Sequence, residues 1–150
     1  MNYARPEDIK EVEAVFKQHK KLFPHIRHDY LVRRINDHQC IWDSGIVITY
    51  SIYKMKVVIG DVIIHSGSVM LHQIANREPG NGNASKVFQK FVIEICEDRD
   101  LFLAVRTENI PARKFYQKQK MTIVGRVIWG GGSINGVVYK LCTTKPRLFS

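Results

Sequence analysis

The residues best suited to chemistry form a short glycine-containing stretch in the middle of the chain. Arg77, Gly80 and Gly82 follow an apolar run that ends at Ala75. Glycine lacks a Cβ, so the backbone can adopt a positive φ and a ligand can approach it closely. A helical pattern begins directly after Gly82, and the first N–H groups of a helix have no partner within it. Because such groups bind phosphate, the stretch predicts a phosphate-binding loop.

The spacing of the two glycines excludes two common nucleotide-binding loops. A P-loop needs four residues between its glycines and a lysine after the second, whereas Gly80 and Gly82 are one residue apart and Asn83 follows. The dinucleotide fingerprint needs a third glycine where this chain has Ser85. Taken alone, the spacing suits an ordinary strand-to-helix turn as well as it suits phosphate binding.

Periodic patterns predict the elements that position this loop. A strand at 68–75 precedes it, and a helix follows from Ala84 to about Asp98, with apolar residues three and four apart. Before them we expect helices opening at Pro6 and at His28, followed by strands at 40–42 and 46–53. Residues 57–64 form either a hairpin or one interrupted strand. After them we expect a strand at 101–105, a helix capped by Asn109 and strands at 121–129 and 137–142.

Three details of this pattern are specific enough to test. Asn135-Gly136 predicts the hairpin turn of the last two strands, which makes Gly130–Gly132 a bulge. Arg33 and Arg34 are expected to project outward from the second helix. The tail after Thr143 is expected to be loose.

Length and composition predict one cytoplasmic domain spanning residues 1–150. No apolar run approaches the roughly 20 residues that cross a bilayer, and the first residues lack an apolar signal core. Cys40, Cys96 and Cys142 each lie in an apolar stretch, so we expect buried free thiols. The six histidines show no metal-ligand spacing, so no metal site is expected.

The charge balance indicates anionic partners. Lys and Arg number 23 against 14 Asp and Glu, a net charge of +9. Such an excess attracts nucleic acid, an acidic protein surface or a phosphorylated ligand. The basic residues are dispersed, which also fits a protein that binds no nucleic acid.

Two motifs in order resemble those of one enzyme family. Arg77-x-x-Gly80-x-Gly82 resembles the Arg/Gln-x-x-Gly-x-Gly/Ala loop of the GNAT N-acetyltransferases. Farther along, Asn109-x-x-Ala112-x-x-Phe115-Tyr116-x-Lys118 resembles that family's Asn-x-x-Ala-x-x-Phe-Tyr-x-Lys signature. With the layout of helices and strands, the resemblance covers about residues 3–142. It implies an α/β (α+β) fold whose mixed, mostly antiparallel sheet is splayed at its fourth strand and flanked by about four helices.

The resemblance also implies a reaction, the transfer of the acetyl group of acetyl-coenzyme A (acetyl-CoA), as co-substrate, to a primary amine. It places the coenzyme on residues of the splayed strand, the glycine loop and the Asn109 helix: Gln73, Ile74, Arg77, Gly80, Asn81, Gly82, Asn83, Ala84, Ser85, Asn109, Ala112 and Phe115. Tyr116 would return a proton to the thiolate, although a half-buried core aromatic is the alternative interpretation. His72 is the first candidate for the general base and Glu108 the second; a packed strand histidine and a solvated loop glutamate are the alternatives.

The chain departs from the family pattern in three places. Only Asn76 separates Ala75 from Arg77, where the family has several residues. Lys120 occupies a helix end where the family usually has glycine, and a left-handed lysine there is mildly strained. Pro79 removes one N–H group from the loop.

The acceptor stays open at this point. A protein or peptide amine, a small amino compound and an amine on nucleic acid all fit, with the acceptor pocket expected in the loops 20–30 and 129–136. One rival interpretation is a GNAT-fold protein that binds or modifies nucleic acid through Arg27, Arg33, Arg34, Lys54 and Lys56. Another is a coenzyme-binding protein without catalysis. A homodimer is an open alternative, and no membrane partner is expected.

Overall fold

The computed structural model describes residues 1–142; the tail after Thr143, predicted to be loose, lies outside the described residues. The chain forms two compact units. The first comprises Met1–Ser51 and Leu71–Glu94, and the second comprises Ile52–Met70 and the residues from Ile95 onward. Each unit is described by itself below.

Residues 1–142 form four α-helices and eight strands, which confirms the predicted fold class. The helices are α1 (Ile9–Gln18), α2 (His28–Asn36), α3 (Asn83–Phe91) and α4 (Ile110–Lys118). The strands are β1 (Cys40–Asp43), β2 (Ile46–Ile52), β3 (Val57–Ile59), β4 (Val62–Ile64), β5 (Val69–Asn76), β6 (Leu101–Arg106), β7 (Thr122–Trp129) and β8 (Ile134–Leu141). The helix predicted to end near Asp98 is α3, which ends at Phe91 and continues as a π-helical turn over Val92–Cys96.

The sheet is mixed and mostly antiparallel, with strand order β1-β2-β5-β6-β8-β7. Antiparallel pairs join β1 to β2, β6 to β8 and β7 to β8. β5 is the strand at which the resemblance places the splay, and its parallel pairing with β6 comprises Val69↔Leu101 and Met70↔Phe102. It is fifth in chain order because residues 57–64, undecided from the sequence, form the separate hairpin β3–β4.

In the first unit, α1 and α2 bury their predicted apolar faces against the strands. The spacing of the apolar residues of α1, three and four apart, predicts one buried face, and Val12, Val15 and Phe16 are at most 3% exposed. They pack in one cluster with Leu31 and Ile35 of α2 and with Cys40, Val47 and Ala75 of the strands. Each such side chain contributes about 1.5–3 kcal/mol of transfer free energy, so this cluster fixes both helices on the strands.

Arg34 corrects one prediction for α2. The sequence predicted that Arg33 and Arg34 both project outward, but only Arg33 is exposed. Arg34 is half-buried, and its Nη1 donates to Gln39 Oε1 at 2.6 Å and to Ser51 Oγ at 2.5 Å. Its guanidinium also lies over the Tyr30 ring at 5.1 Å. The long apolar stem of arginine allows a charged residue to lie beside a core in this way.

In the second unit, the turn of the β7–β8 hairpin differs from the one predicted at Asn135-Gly136. Gly130–Gly132 form the connecting turn, with φ values of +61°, +68° and +100°, and Asn135-Gly136 lie inside β8. A Cβ on Gly136 would lie 2.4 Å from the Trp129 ring, so this glycine is required by close packing. Glycine is favoured both in a left-handed turn and where a side chain packs against the backbone. The sequence spacing alone does not distinguish these two reasons.

The C-terminal end of α4 confirms the strain predicted at Lys120. Lys120 has φ of +70°, and its N–H bonds to the Gln117 carbonyl while that of Met121 bonds to the Tyr116 carbonyl. These two bonds form a Schellman ending, which usually has glycine at this position.

The three cysteines do not share one environment. Cys40 and Cys96 are buried free thiols as predicted, whereas Cys142 is exposed. Cys142 directly follows β8, so its apolar neighbours in sequence do not bury it.

Candidate active site

The glycine loop of the first unit has the predicted backbone conformation. Gly80 has φ of +90° and Gly82 has φ of +78°, and Gly82 is the N-cap residue of α3. A Cβ built on either glycine would meet no atom within 4 Å. Packing therefore does not require glycine here; the left-handed backbone does, and the space beside both residues is open.

The amides of this loop fall into two groups. Three are already bonded: Arg77 N–H donates to the Gly45 carbonyl, Glu78 N–H to Asn76 Oδ1 and Asn83 N–H to Asn81 Oδ1, each at 2.9 Å. The remaining amides make no hydrogen bond within residues 1–142, and they belong to Gly80, Asn81, Gly82 and Ala84. The amide of Arg77 is therefore not available to a ligand. The unbonded N–H donors are concentrated at the start of α3, where the helix dipole favours an anion.

The peptide group between Asn76 and Arg77 is fixed at both ends. Its carbonyl accepts a hydrogen bond from His19 Nε2 at 2.7 Å, and its N–H donates to the Gly45 carbonyl at 2.9 Å. Because a carbonyl only accepts, Nε2 of His19 carries the proton. This peptide group lies at the connection that the sequence showed to be shortened.

The next peptide group is fixed in the same way. Gln18 Nε2 donates to the Arg77 carbonyl at 2.8 Å, while Glu78 N–H is held by the Asn76 side chain. The Arg77 guanidinium lies over the Trp42 ring at 5.5 Å. We call Gln18, His19 and Gly45 the loop anchor, because they orient the two peptide groups from which the glycine loop starts.

The second half of β5 carries a polar cluster. Gln73 Oε1 accepts hydrogen bonds from Tyr30 Oη at 2.8 Å and from Thr49 Oγ1. On the neighbouring residue, His72 Nε2 lies 2.8 Å from Ser51 Oγ. Thr49 and Ser51 are two residues apart in β2 and share a face, so adjacent β5 residues reach the same face of β2. Regular alternation does not allow this, and β5 is therefore irregular at His72 and Gln73.

The same cluster controls the charge of His72. Burial, with a smaller contribution from the positive charge of Arg34, lowers the pKa of His72 to about 4. His72 is therefore neutral at pH 7, with a lone pair available but with weak basicity. Its role as the general base stays a prediction.

In the second unit, the Asn109 motif builds the start of α4. Asn109 Oδ1 accepts a hydrogen bond from Ala112 N–H at 3.3 Å, as expected of a capping residue. Tyr116 is 6% exposed, and its ring lies 5.5 Å from that of Phe115 and 6.0 Å from that of Tyr139. Burial raises the pKa of Tyr116 above its ordinary value, so the phenol keeps its proton at neutral pH.

The other predicted residues are partly or fully accessible. Ile74, Asn83, Ala84, Ser85, Ala112 and Phe115 are half-buried, and Arg77, Gly80, Asn81 and Gly82 are exposed. The side chain of Glu108 is 80% exposed, with its carboxylate 3.9 Å from Arg106 Nη1. An exposed pair of this kind has little effect on a carboxylate, so Glu108 has the environment of a solvated loop residue.

Sequence reasoning missed several residues of this region. The sequence feature that could have indicated a role for Gln18 and His19 is their polar character at the end of an apolar helical stripe. No sequence feature indicated a role for Tyr30, Thr49 or Ser51. Within residues 1–142, no group of three or more His, Cys, Asp or Glu side chains is placed to hold a metal ion. In the same range, no helix is long and apolar enough to cross a membrane.

Comparison with solved structures identifies the fold. A GNAT-family acetyltransferase from Streptococcus agalactiae superposes with a TM-score of 0.74 and 14% identity, covering 96% of this chain and 95% of that one. Ard1 from Thermoplasma volcanium gives 0.72 and 17%, covering 96% and 97%. Naa50 from Arabidopsis thaliana, in complex with the bisubstrate analogue CoA-Ac-MVNAL, gives 0.67 and 16%, covering 93% and 95%. The chain therefore has the GNAT acetyltransferase fold.

Comparison by sequence adds nothing to this. No protein-family model matches the chain, and no curated protein matches its sequence.

Proposed function

We propose that the protein is an N-acetyltransferase that moves the acetyl group of acetyl-CoA to a primary amine. The observation that carries the proposal is the glycine loop. Two left-handed glycines, open space and four amides that are unbonded within residues 1–142 occur together there at the start of α3. Those amides would hold the pyrophosphate of the coenzyme. The GNAT fold and the Asn109 motif support the same assignment.

For acetyl transfer, the protein mainly has to position the two substrates and to transfer protons. A neutral amine attacks the acetyl carbonyl, the bond to sulfur breaks, and the thiolate leaves and needs a proton. Tyr116 is the proposed acid, since burial keeps its phenol protonated. The amine loses a proton to His72, to Glu108 or to water. Backbone groups of Gln73 and Ile74 are proposed to pair with the pantetheine arm as an added strand would.

The acceptor is proposed to be the amine of a peptide. The support is that solved structures with this fold include Naa50 in complex with a bisubstrate analogue whose peptide part is MVNAL. An acceptor on nucleic acid is the second candidate, since the net charge is +9. Binding to RNA or DNA that falls steeply with salt, together with acetylation of the nucleic acid, would favour that candidate.

Coenzyme binding and turnover test the proposal separately. Calorimetry with acetyl-CoA measures binding, and a thiol-release assay with a panel of peptide and small amines measures transfer. Binding with transfer supports the enzyme. Binding without transfer to any amine supports the non-catalytic alternative, and absence of binding contradicts the proposal.

The loop anchor gives a first prediction. The double variant Gln18→Ala, His19→Ala is expected to raise the Kd for acetyl-CoA about 5- to 150-fold, because two hydrogen bonds that orient the loop, each worth about 0.5–1.5 kcal/mol, are lost. The kcat at saturating coenzyme should stay unchanged. Calorimetry and steady-state kinetics provide the measurement.

Two variants control this experiment. Lys17→Ala changes an exposed residue at the same end of α1 and should leave the Kd unchanged. His19→Gln keeps a donor and should recover part of the affinity. A double variant that binds acetyl-CoA as tightly as the parent contradicts the role of the anchor.

His72 gives a second prediction, on stability. Because burial holds its folded pKa at about 4, below the unfolded value of about 6.5, the unfolded chain binds a proton that the folded chain does not. The stability from this group is complete above pH 6.5 and is lost as the pH falls toward 4, by at most about 3 kcal/mol. Urea unfolding at pH 7, 5.5 and 4.5 should show that His72→Gln loses less stability than the parent. Parallel losses in both proteins contradict the prediction.

A further inference from the structure

Arg34 is held in place by neutral oxygens and an aromatic ring. Its Nη1 donates to three neutral oxygens, those of Gln39 and Ser51 and the Tyr50 carbonyl at 3.3 Å. The plane lies over Tyr30. The three acceptors of Nη1 and the ring below hold the guanidinium in place, so a ligand would meet a donor group that is already positioned.

The charge of Arg34 is not neutralised within the described part of the chain. In residues 1–142, no carboxylate lies within 4.0 Å of its guanidinium. Its Nε is buried without a hydrogen-bond partner, and its Nη2 makes no hydrogen bond in the same range. A partly buried cation without a counter-charge favours binding of an anion, and the free Nη2 is a donor that such an anion would use.

Gln73 supplies a second donor beside Arg34. Its Oε1 is occupied by Tyr30 and Thr49, while its Nε2 makes no hydrogen bond within residues 1–142. Tyr30 connects the two groups, since its hydroxyl bonds to Gln73 and its ring lies under Arg34. Donors without acceptors select a ligand group that only accepts, which describes a carboxylate and not an ammonium.

The cluster also includes the candidate base. Ser51 Oγ lies within hydrogen-bond distance of both Arg34 Nη1 and His72 Nε2. An anion held by Arg34 would therefore belong to a molecule that lies beside His72. The proposed function places the acceptor amine next to its base, so the same molecule would carry the amine and the carboxylate.

We propose that Arg34, assisted by the Gln73 amide, is the specificity residue that selects acceptor peptides carrying a carboxylate near the acetylated amine. The proposal rests on the proposed function and narrows its substrate class to acidic peptides. The net charge of +9 agrees with it, because a basic protein attracts acidic peptides.

Isosteric peptides test this specificity. The probes are peptide amides with Asp and Glu at the second and third positions, and their Asn and Gln counterparts, which differ in charge alone. The variants are Arg34→Gln and Arg34→Lys, with Arg33→Gln as the matched control, because Arg33 is the adjacent residue of α2 and is exposed. Thermal melting checks that each variant folds, and calorimetry with acetyl-CoA checks coenzyme binding.

The expected result is a difference in KM that depends on the peptide. The parent should prefer the acidic peptides about 10- to 100-fold in kcat/KM, the range expected for a hydrogen bond to a charged group. Arg34→Gln should remove that preference through KM, and Arg34→Lys should recover part of it. Arg33→Gln should behave as the parent does.

Other outcomes overturn the proposal and are separable from failure of the function. No preference in the parent, no turnover of the acidic peptides, or an equal loss on both peptides in Arg34→Gln would each show that Arg34 is only structural. If these proteins bind acetyl-CoA and transfer its acetyl group to the neutral peptides, the proposed function still stands. If the parent does not bind acetyl-CoA, the proposed function itself fails.

Discussion

Replacing Gly82 by tryptophan is expected to abolish acetyl-CoA binding, raising the Kd more than about 100-fold, while the chain stays folded. The indole would fill the open space beside the unbonded amides of Gly80, Asn81 and Ala84, where the pyrophosphate is proposed to lie. Folding should survive because a Cβ on Gly82 meets no atom within 4 Å. The left-handed φ of +78° costs a non-glycine residue only about 1–2 kcal/mol. Calorimetry measures binding, and thermal melting measures stability.

Gly131→Trp is a matched control for this result. Gly131 also has a left-handed φ, +68°, and a Cβ there also meets no atom within 4 Å. The two variants therefore carry the same strain and the same added ring, but Gly131 lies in the β7–β8 turn. Gly131→Trp should bind acetyl-CoA as the parent does. Unchanged affinity in Gly82→Trp would remove the basis of the proposed function.

Tyr116→Phe is expected to slow acetyl transfer about 10²- to 10⁴-fold with coenzyme binding nearly preserved. A phenol of ordinary pKa about 10 gives its proton readily only to a stronger base, and a free thiol has a pKa of about 8.5. Burial raises the pKa of Tyr116 further, so the phenol is protonated when the thiolate leaves but is a weaker acid than the thiol; the transfer is uphill and depends on close placement of the hydroxyl at the sulfur. Single-turnover kinetics at saturating acetyl-CoA isolates this step.

Tyr139→Phe controls for the loss of a buried hydroxyl. Tyr139 is fully buried, its ring lies 6.0 Å from that of Tyr116, and its hydroxyl accepts a hydrogen bond from Arg113 Nε at 3.2 Å. Removing that hydroxyl should lower stability by about 1 kcal/mol and leave the rate within a few-fold. If Tyr116→Phe turns over as fast as the parent, Tyr116 serves packing alone and the acid lies elsewhere.

Local patterns were enough to predict most of the elements. The apolar stripe of α1, the cap at Asn109 and the left-handed Lys120 follow from spacing and side-chain chemistry within a few residues, and the structure confirms each. The left-handed backbone at Gly80 and Gly82 follows in the same way. These features depend on interactions between near neighbours in the chain, which can be predicted directly from the sequence.

The features that the sequence did not determine depend on residues far apart in the chain. Gly136 is needed because the Trp129 ring lies against it, so Asn135-Gly136 is part of a strand and not a turn. Arg34 turns inward because Ser51 and Tyr50 of β2 offer it oxygen acceptors. No pattern within α2 distinguishes Arg34 from Arg33.

The glycine loop likewise has some features that depend on near neighbours in the chain and others that depend on distant residues. The sequence identified Arg77, Gly80 and Gly82 and showed that the connection before Arg77 is short. Only the tertiary structure shows that His19 and Gly45 hold the peptide group before Arg77, across 57 residues in the case of His19 and Asn76. Conformation is set by each residue and its neighbours, whereas hydrogen-bond partners are set by whichever distant groups packing brings within reach.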